Sequence, residues 1–351
     1  MLKWLGIDIG GANIKVADCT GFASSVAFPL WKFPNQLGKT IGEILRTAPE
    51  FHCLAVTMTG ELADCYETRE EGVCRILEQL TSIVPAPLVR VYSVDGTWHT
   101  VSQAARIPWQ VAASNWHALA QYCLPLAEGE PALLVDVGST TTDIIPMYKK
   151  VCTDATSDSQ RLIARQLVYA GVERTPVCSL VKTLPLYESE CPVMAELFAT
   201  TADVYTWLCF RPETHESLNT CDGRPDTRHG AKFRLARMVG EDGSTISDAD
   251  VEKIAEAIAD AHASLIAQSI LAHCAQFKKP TLQRVITSGH GEFVVDAALR
   301  HLRWSPKRVR LVEELGEEAS RCAPARAVAC LAEMQLSKEL AHVDPAFEAG
   351  S

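Results

Sequence analysis

Short apolar runs alternate with amphipathic segments along the chain. Mostly apolar runs, which indicate buried strands, lie at residues 4–9, 14–18, 53–59, 88–94, 132–137, 143–147 and 284–287. Apolar residues spaced three or four positions apart, as on one face of a helix, predict helices at residues 39–46, 70–83, 112–119, 251–280 and 323–340. Strands that alternate with helices are typical of an α/β protein.

The opening pattern of the chain occurs twice. An apolar strand that contains Asp8 runs into a turn at Gly10, and a second apolar strand that contains Asp136 runs into a turn at Gly138. In both places another strand follows directly. A repeat at domain-sized separation indicates two related lobes rather than a solenoid of short repeats.

The length of the chain agrees with two lobes. Its 351 residues exceed the roughly 100–200 residues of one ordinary domain. We predict an N-terminal lobe at residues 1–130, a C-terminal lobe at residues 131–341 and a frayed tail at residues 342–351. Residues 150–245 are less regular and rich in Gly- and Pro-containing loops, and we predict that they form a substrate-binding insertion.

The composition excludes several classes of protein. Hydrophobic residues make up 47% and charged residues 22% of the chain, which is ordinary for a globular protein and too apolar for a disordered one. A net charge of −10 argues against a nucleic-acid partner. No apolar run approaches the about 20 residues that span a bilayer, so no membrane association is expected. The N-terminus runs straight into a strand without an export signal, which favours the cytoplasm.

Thirteen cysteines are spaced irregularly along the chain. No two of them form the Cys-x-x-Cys pattern of zinc and redox sites. The simplest interpretation is that they are reduced thiols, used as small core residues in a reducing compartment.

Three glycine-bearing turns follow buried strands, at residues 8–11, 136–139 and 288–291. Phosphate binding requires backbone N–H groups that point into a concavity, and glycine permits the close approach. An aspartate at a strand end repels phosphate, but it can hold Mg²⁺, which then bridges to phosphate. The turns therefore predict a site for a phosphate group and a divalent cation.

The candidate residues fall into two sets. The catalytic candidates are Asp8, Asp136 and Asp143, of which Asp8 and Asp136 are also the metal candidates. The phosphate-binding candidates are Gly10, Gly11, Asn13, Lys15, Gly138, Ser139, Thr140, Thr141, Thr142, Gly289 and Gly291. Each has an ordinary alternative: a turn-capping role for the carboxylates, a turn-forming role for Asn13, a solvated strand position for Lys15, and simple strand preference for the threonines.

The three turns together resemble the superfamily of acetate and sugar kinases, heat-shock chaperones and actin. The resemblance implies a two-lobed, actin-like ATPase (ribonuclease H-like) α/β fold with a cleft between the lobes. In that superfamily, hairpins that correspond to residues 6–15 and 135–144 clasp phosphates from opposite lobes. The third turn, at residues 288–292, meets the nucleoside in members that bind nucleotides.

Further segments narrow the resemblance. Residues 58–62, 136–143 and 169–176 look like the hydantoinase A/oxoprolinase branch of the superfamily. Residues 112–116, 199–205 and 221–225 are similar to proteins of tetrahydromethanopterin-linked one-carbon transfer, a family that includes the methanofuran-biosynthesis synthases.

This family resemblance implies a transferase of methanofuran or methylofuran biosynthesis. Its members join an (aminomethyl)furan-methyl diphosphate to the phenol of a tyramine- or tyrosine-derived γ-glutamyl acceptor and release diphosphate. The expected partners are these two small molecules, with Mg²⁺ or another divalent cation as cofactor, and a homo-oligomer is compatible with the sequence. ATP binding is compatible with the turns but is not required.

Two other functions stay open at this stage. One is an ATP-dependent small-molecule kinase or a hydantoinase/oxoprolinase-type amidohydrolase, because ATP and a diphosphate ester require similar turns. The other is a non-enzymatic, actin-like scaffold.

The acceptor pocket has four candidate residues, which are Asn115, Asp203, Asp222 and Arg224. Arg224 is placed among them because arginine recognises a carboxylate bidentately and a γ-glutamyl group carries one. An ordinary surface turn is the alternative for residues 222–224. The general base is not identified by the sequence; Asp95, at a strand end, is one candidate, and His290 is a weaker candidate for catalysis.

Overall fold

Two six-stranded β-sheets form the centre of the protein. The computed structural model describes residues 2–274 and 282–336. The strands of the first sheet are β1 (Trp4–Ile9), β2 (Asn13–Ala17), β3 (Ala23–Ala27), β4 (Cys53–Met58), β5 (Val89–Tyr92) and β6 (Trp98–His99). Their order is β3-β2-β1-β4-β5-β6, with β1 antiparallel to β2 and parallel to β4.

The second sheet repeats this arrangement. It begins with β7 (Ala132–Val137), β8 (Thr142–Tyr148), β9 (Lys150–Val151) and β10 (Leu167–Val168). A separate hairpin consists of β11 (Thr183–Leu186) and β12 (Ser189–Pro192), and the sheet is completed by β13 (Arg284–Ser288) and β14 (Lys307–Arg310). The order is β10-β8-β7-β13-β14, with β9 paired to β8, and β7 is antiparallel to β8 and parallel to β13. The repeat predicted from the sequence is thus a repeat of strand topology.

Helices cover the faces of both sheets. They are α1 (Leu37–Leu45), α2 (Arg69–Thr81), α3 (Val101–Ala104), α4 (Pro108–Val111), α5 (Asn115–Cys123), α6 (Asp158–Ile163), α7 (Val177–Leu180), α8 (Thr201–Trp207), α9 (Arg228–Arg237), α10 (Asp248–Cys274), α11 (Glu292–His301), α12 (Leu311–Leu315), α13 (Glu317–Arg321) and α14 (Ala323–Leu336). Residues 150–245, predicted to be irregular, contain four of these helices and the β11–β12 hairpin. The predicted end of the long helix near residue 280 and the predicted tail lie outside the described residues.

The predicted helix at residues 112–119 is interrupted in the structure. Helix α4 ends at Val111, Ala112 forms a bridge with Met58 at the end of β4, and Ala113 adopts a φ of 46°. The hydroxyl of Ser114 donates to the carbonyl of Tyr92 at 3.1 Å and lies 2.8 Å from the hydroxyl of Thr57. These tertiary contacts outweigh the local helical pattern, so α5 begins only at Asn115.

The closing helix α14 packs against the first sheet, although its sequence position assigns it to the C-terminal lobe. The contact depends on Gly6 in β1, because a Cβ atom there would overlap the carbonyl oxygen of Ala325. An apolar cluster, which includes Trp4, Leu134 and Val328, then joins the two sheets. The lobes are therefore fused along a shared core.

The burial of the cysteines agrees only in part with the prediction that they are small core residues. All thirteen lie in the described residues and are free thiols, but only Cys53, Cys123 and Cys322 are fully buried. The remaining ten are half-buried or exposed, so core packing explains only a minority of them. Separately, the helices of the described chain include none with the length and apolar character needed to cross a membrane.

Candidate active site

A polar cavity of about 360 Å³ lies between the two lobes, where the β1–β2 and β7–β8 hairpin turns face each other. Most of the residues singled out in the sequence line it. They are Asp8, Gly10, Gly11, Asn13, Lys15, Asn115, Asp136, Gly138, Ser139, Thr140, Thr141 and Asp143. The topology explains this convergence, since β1 and β7 are central strands whose carboxyl ends open into the same space.

The two hairpin turns are built alike. The N–H of Gly10 donates to the carbonyl of Asn13 at 3.0 Å, and the N–H of Gly138 donates to the carbonyl of Thr141 at 2.9 Å. Their cross-strand partners differ in charge. Asp8 lies opposite Lys15 on β2, whereas Asp136 lies opposite Asp143 on β8. The first hairpin therefore places a carboxylate across from a cation, and the second places two carboxylates across from each other.

The segment of residues 169–176 supports the second turn. The N–H of Val172 donates to the carbonyl of Gly138 at 3.0 Å, and the N–H groups of Glu173 and Arg174 both donate to the carbonyl of Ser139 at 3.0 Å. A Cβ atom on Gly171 would lie 2.5 Å from the carbonyl oxygen of Gly138. This segment, singled out by its family resemblance, thus fixes the backbone of the turn.

Burial makes the ionised forms of Asp8 and Asp136 unfavourable. The pKa of each carboxyl is raised to about 6, chiefly by desolvation; the nearby Asp143 contributes to the rise and Lys15 opposes it. The Oδ1 atom of Asp8 is buried without a hydrogen-bond partner in the described chain. A cation between these carboxylates would relieve both effects.

The donor set fits a magnesium ion that is shared with a ligand. No group of three or more His, Cys, Asp or Glu side chains is placed to hold a metal within residues 2–274 and 282–336. Magnesium is commonly held by one or two carboxylates, with water and substrate phosphates as the other ligands. Asp8 and Asp136 are suited to that role, whereas Asp143 is occupied by a close ion pair with Arg161.

A chain of charged side chains crosses from one lobe to the other along the cavity wall. Nη1 of Arg161 lies 3.9 Å from Oδ1 of Asp158, and Oδ2 of Asp158 lies 2.7 Å from Nη2 of Arg69. Nε of Arg69 in turn lies 3.8 Å from Oε1 of Glu61. Glu61, Asp158 and Arg161 line the cavity. Sequence reasoning missed the chain, because its members lie far apart in sequence. Of its members, the sequence indicated only Glu61, which lies in residues 58–62, the segment that resembles the hydantoinase A/oxoprolinase branch.

An aromatic and cationic pair also spans the cavity. The guanidinium of Arg174 lies over the Trp31 ring, 4.4 Å from its centroid, and both residues line the cavity together with Tyr169. Arg174 makes no ion pair among the described residues, and neither does Lys15. Both positive charges are therefore free to meet an anionic ligand.

Three of the phosphate-binding predictions are corrected by the structure. The Thr142 hydroxyl is buried and donates to the carbonyl of Ala170 at 2.8 Å, so it faces away from the cavity. Gly289 and Gly291 pack against Val137, where a Cβ atom on either would overlap that residue. Both lie in the turn between β13 and α11, which they allow to approach the end of β7, and the N–H of Gly291 donates to the carbonyl of Val137 at 3.1 Å.

Three of the acceptor-site candidates lie outside the interlobe cavity. Asp203 is buried in an ion pair with Arg234, at 2.5 Å. Asp222 also accepts from Arg234, at 3.1 Å, and together with Arg224 it lines a second cavity of about 370 Å³ next to α9. Of the four candidates, only Asn115 lies in the interlobe cavity, at the N-terminus of α5.

The two weaker catalytic candidates also lie away from the cavity. His290 lies 3.3 Å from Glu173, and burial lowers the pKa of its ring. Asp95 accepts hydrogen bonds from Ser93 and from the backbone and side chain of Thr97, which makes it a turn-capping residue.

Comparison with known proteins agrees with the fold and the site. The sequence pattern of the hydantoinase/oxoprolinase family matches residues 52–333. The chain is 32% identical, over 95% of its length and 98% of the relative's, to the (4-{4-[2-(γ-L-glutamylamino)ethyl]phenoxymethyl}furan-2-yl)methanamine synthase of Methanocaldococcus jannaschii. It is 29% identical to the synthase of the same name from Methanococcus vannielii, over 59% of this chain and 93% of that protein.

Among solved structures, a nucleotide-free acetone carboxylase shares the fold. It aligns with 94% of this chain and 70% of its own, with a TM-score of 0.53 and 9% sequence identity. The prediction of a two-lobed, actin-like α/β fold is confirmed.

Proposed function

The chain belongs to the hydantoinase/oxoprolinase family, and we propose that it is a transferase that joins a furanylmethyl group to the oxygen of a phenol. The observation that carries the proposal is the 32% identity to a synthase over nearly the whole chain, combined with a cavity suited to a phosphorylated ligand. The name of that relative describes a product in which a phenol is linked through an ether to a furan methyl group. We extend the same reaction class to this chain.

The donor substrate is proposed to be an (aminomethyl)furan-methyl diphosphate. A furan ring stabilises positive charge on its methylene carbon, so the C–O bond to diphosphate is easily broken. The phenolic oxygen then forms the new C–O bond, and the phenolic proton is lost. The main demand on the protein is stabilisation of the leaving diphosphate.

The hairpin turns and Lys15 meet this demand in our proposal. The N–H of Gly138 already donates to Thr141, so the backbone N–H groups of Ser139 and Thr140 are the proposed donors of this turn, and Lys15 offers a positive charge without a competing ion pair. Asp8 and Asp136 would hold Mg²⁺, which in such a site neutralises charge that develops on the leaving phosphates. The first residues of α14 face the same space, since Pro324 lines the cavity, and a helix N-terminus favours anions.

The acceptor is proposed to be a γ-glutamyl derivative of tyramine or tyrosine. Arg174 replaces Arg224 as the candidate for its carboxylate, because Arg174 lies in the interlobe cavity with an unpaired guanidinium. Trp31 and Tyr169 add aromatic surface beside it for the phenol ring. The product would be an intermediate of methanofuran or methylofuran synthesis.

The test is a reconstituted reaction. Purified protein is incubated with Mg²⁺, the furan diphosphate and γ-glutamyltyramine, and ether and diphosphate are quantified. We expect equal amounts of both products. Diphosphate release without ether would overturn the transferase proposal. Transfer of phosphate from ATP to a small molecule, with no reaction of the furan diphosphate, would instead establish the kinase alternative.

A further inference from the structure

Glu61 is held rigidly at the edge of the cavity. It follows β4 after a turn in which the N–H groups of Thr59 and Gly60 both donate to the carbonyl of Ile9, at 2.9 and 3.0 Å. Helix α2 closes on it from the other side, since a Cβ atom on Gly72 would overlap the Glu61 carbonyl. The side chain is therefore positioned by backbone contacts with both β1 and α2.

The carboxylate of Glu61 keeps one oxygen free. Its side chain is only 1% exposed, and its Oε2 atom has no hydrogen-bond partner in the described chain. Its Oε1 atom lies 3.8 Å from Nε of Arg69, which is too long for a hydrogen bond. Arg69 instead directs its terminal nitrogen to Asp158. A buried carboxylate with an unused acceptor is costly unless a ligand uses it.

The other carboxylates of the cavity are less suited to accept a proton. Asp8 and Asp136 are assigned to the cation, Asp143 pairs closely with Arg161, and Asp158 pairs with Arg69. Asp64 is exposed to solvent. Among the cavity carboxylates of the described chain that are not assigned to the cation, Glu61 alone is buried without a hydrogen bond to another side chain.

The surroundings of Glu61 favour proton transfer near neutral pH. The pKa of its carboxyl is raised to about 7, chiefly by burial; its own backbone N–H and Arg69 oppose the rise, and the charges of Asp158 and Asp8 contribute to it. A general base works best when its pKa lies close to the working pH.

We propose that Glu61 is the general base that accepts the proton of the phenolic acceptor; this inference rests on the proposed function. The C–O bond to diphosphate breaks with its electron pair leaving on the diphosphate oxygen. A lone pair of the phenolic oxygen forms the new bond to the furanyl methylene carbon. The phenolic proton moves to Oε2 of Glu61 and is later released to water.

The primary test is Glu61→Gln, which keeps the shape of the side chain and removes its basicity. We expect kcat for ether formation to fall about 10²–10⁴-fold, with KM for the furan diphosphate nearly unchanged. The matched control is Glu67→Gln in the same segment, at an exposed position outside the cavity, which should keep wild-type turnover. Glu61→Asp retains a carboxylate and should keep partial activity, with an acidic limb in its pH profile that Glu61→Gln lacks.

A second readout separates a base from a structural residue. Ring-fluorinated γ-glutamyltyramines have more acidic phenols, so their deprotonation needs less help. The defect of Glu61→Gln should shrink at least about tenfold with these acceptors. If the wild-type protein forms ether, the proposed function stands. In that case an equal defect with every phenol, or full turnover of Glu61→Gln with the unsubstituted acceptor, would overturn the assignment of Glu61 as the general base. Absence of ether with the wild-type protein would overturn the function itself, and the role of Glu61 with it.

Discussion

Arg69 and Asp158 form an ion pair of 2.7 Å that joins helix α2 of the first lobe to helix α6 of the second. The pair continues on one side to Glu61 and on the other to Arg161 and Asp143. The same charges therefore line the cavity wall and hold the lobes together. A change at one member is expected to alter both stability and catalysis.

A substitution that removes one partner of the Arg69–Asp158 ion pair tests whether the pair stabilises the protein. Asp158→Asn leaves the buried Arg69 with only the distant Glu61, so we expect a loss of about 1–3 kcal/mol in the free energy of unfolding. Urea denaturation measures it. The control is Glu50→Gln, which breaks the exposed Lys3–Glu50 pair of 2.8 Å and should change stability by less than about 0.5 kcal/mol. Equal effects of the two substitutions would refute the structural role of the interlobe pair.

The strand-end carboxylates should matter more for activity than for stability. Asp8→Ala and Asp136→Ala are each expected to lower kcat/KM at least about 100-fold, because each removes a proposed ligand of the cation. Their melting temperatures without divalent cation should equal or exceed that of the wild type, since both carboxylates are unfavourable when the cavity holds no cation. The exposed Asp154→Ala is the control. Full turnover of either variant would remove that residue from the cation site.

The contribution of Asp8 to stability without divalent cation should become more favourable as the pH falls. Asp8 has a pKa of about 6 in the folded protein and 3.8 as its ordinary value, so the folded state binds its proton more tightly. The penalty of burying the charge is present above about pH 6 and disappears as the pH falls towards 4. It is at most about 2–3 kcal/mol for this carboxyl. Thermal unfolding of the wild type and of Asp8→Asn between pH 4.5 and 7.5 measures the difference, and a flat difference would contradict the assignment.

Magnesium should reverse this pH dependence. The ion binds the ionised carboxylates and competes with protons. We expect Mg²⁺ to raise the melting temperature more at pH 7.5 than at pH 5, and to have little effect on the Asp8→Ala, Asp136→Ala double variant. The same shift in the wild type and the double variant would place the ion elsewhere.

Gly171 is expected to be irreplaceable in the support of the second turn. Gly171→Ala brings a Cβ atom within 2.5 Å of the Gly138 carbonyl, in a backbone fixed by several hydrogen bonds. We predict a loss of about 1–3 kcal/mol of stability and a rise in KM for the furan diphosphate. Gly11→Ala is the control for stability alone, because a Cβ atom there has no neighbour within 4 Å. Equal stability of the two variants would refute the tight contact.

Local sequence patterns were sufficient to predict the central strands β1, β2, β4, β5, β7, β8 and β13 and the two hairpins at the cavity, whereas the seven other strands were not predicted. The run at residues 4–9 and the turn at Gly10 carry short-range signals that tertiary packing does not change. The break at Ala113 was not predicted, because it depends on hydrogen bonds between Ser114 and the distant Thr57 and Tyr92.

The cavity-lining residues that lie at a strand end were predicted from the sequence. Those that come together from distant segments were missed. Asp8 and Asp136 follow from the repeated strand-and-turn pattern. The positions of Glu61 beside Arg69 and of Arg174 over Trp31 follow from the packing of the two lobes, which no local spacing reveals. Arg224 and Asp222 lie at a second cavity next to α9, and no local spacing indicated that this cavity is separate from the interlobe cavity.

The packing of α14 on β1 has a consequence for how the protein is made. The helix that covers Gly6 in the first strand lies more than 300 residues later in the chain, so it leaves the ribosome long after that strand. Until it emerges, the N-terminal half of a nascent chain exposes the apolar face that includes Trp4, and vectorial folding of that half stays incomplete. Pro324, near the start of the same helix, also lines the cavity. The apolar cluster that joins the two sheets and the wall of the ligand-binding cleft therefore both depend on this helix, and a chain that stops before residue 323 would lack its contribution to each.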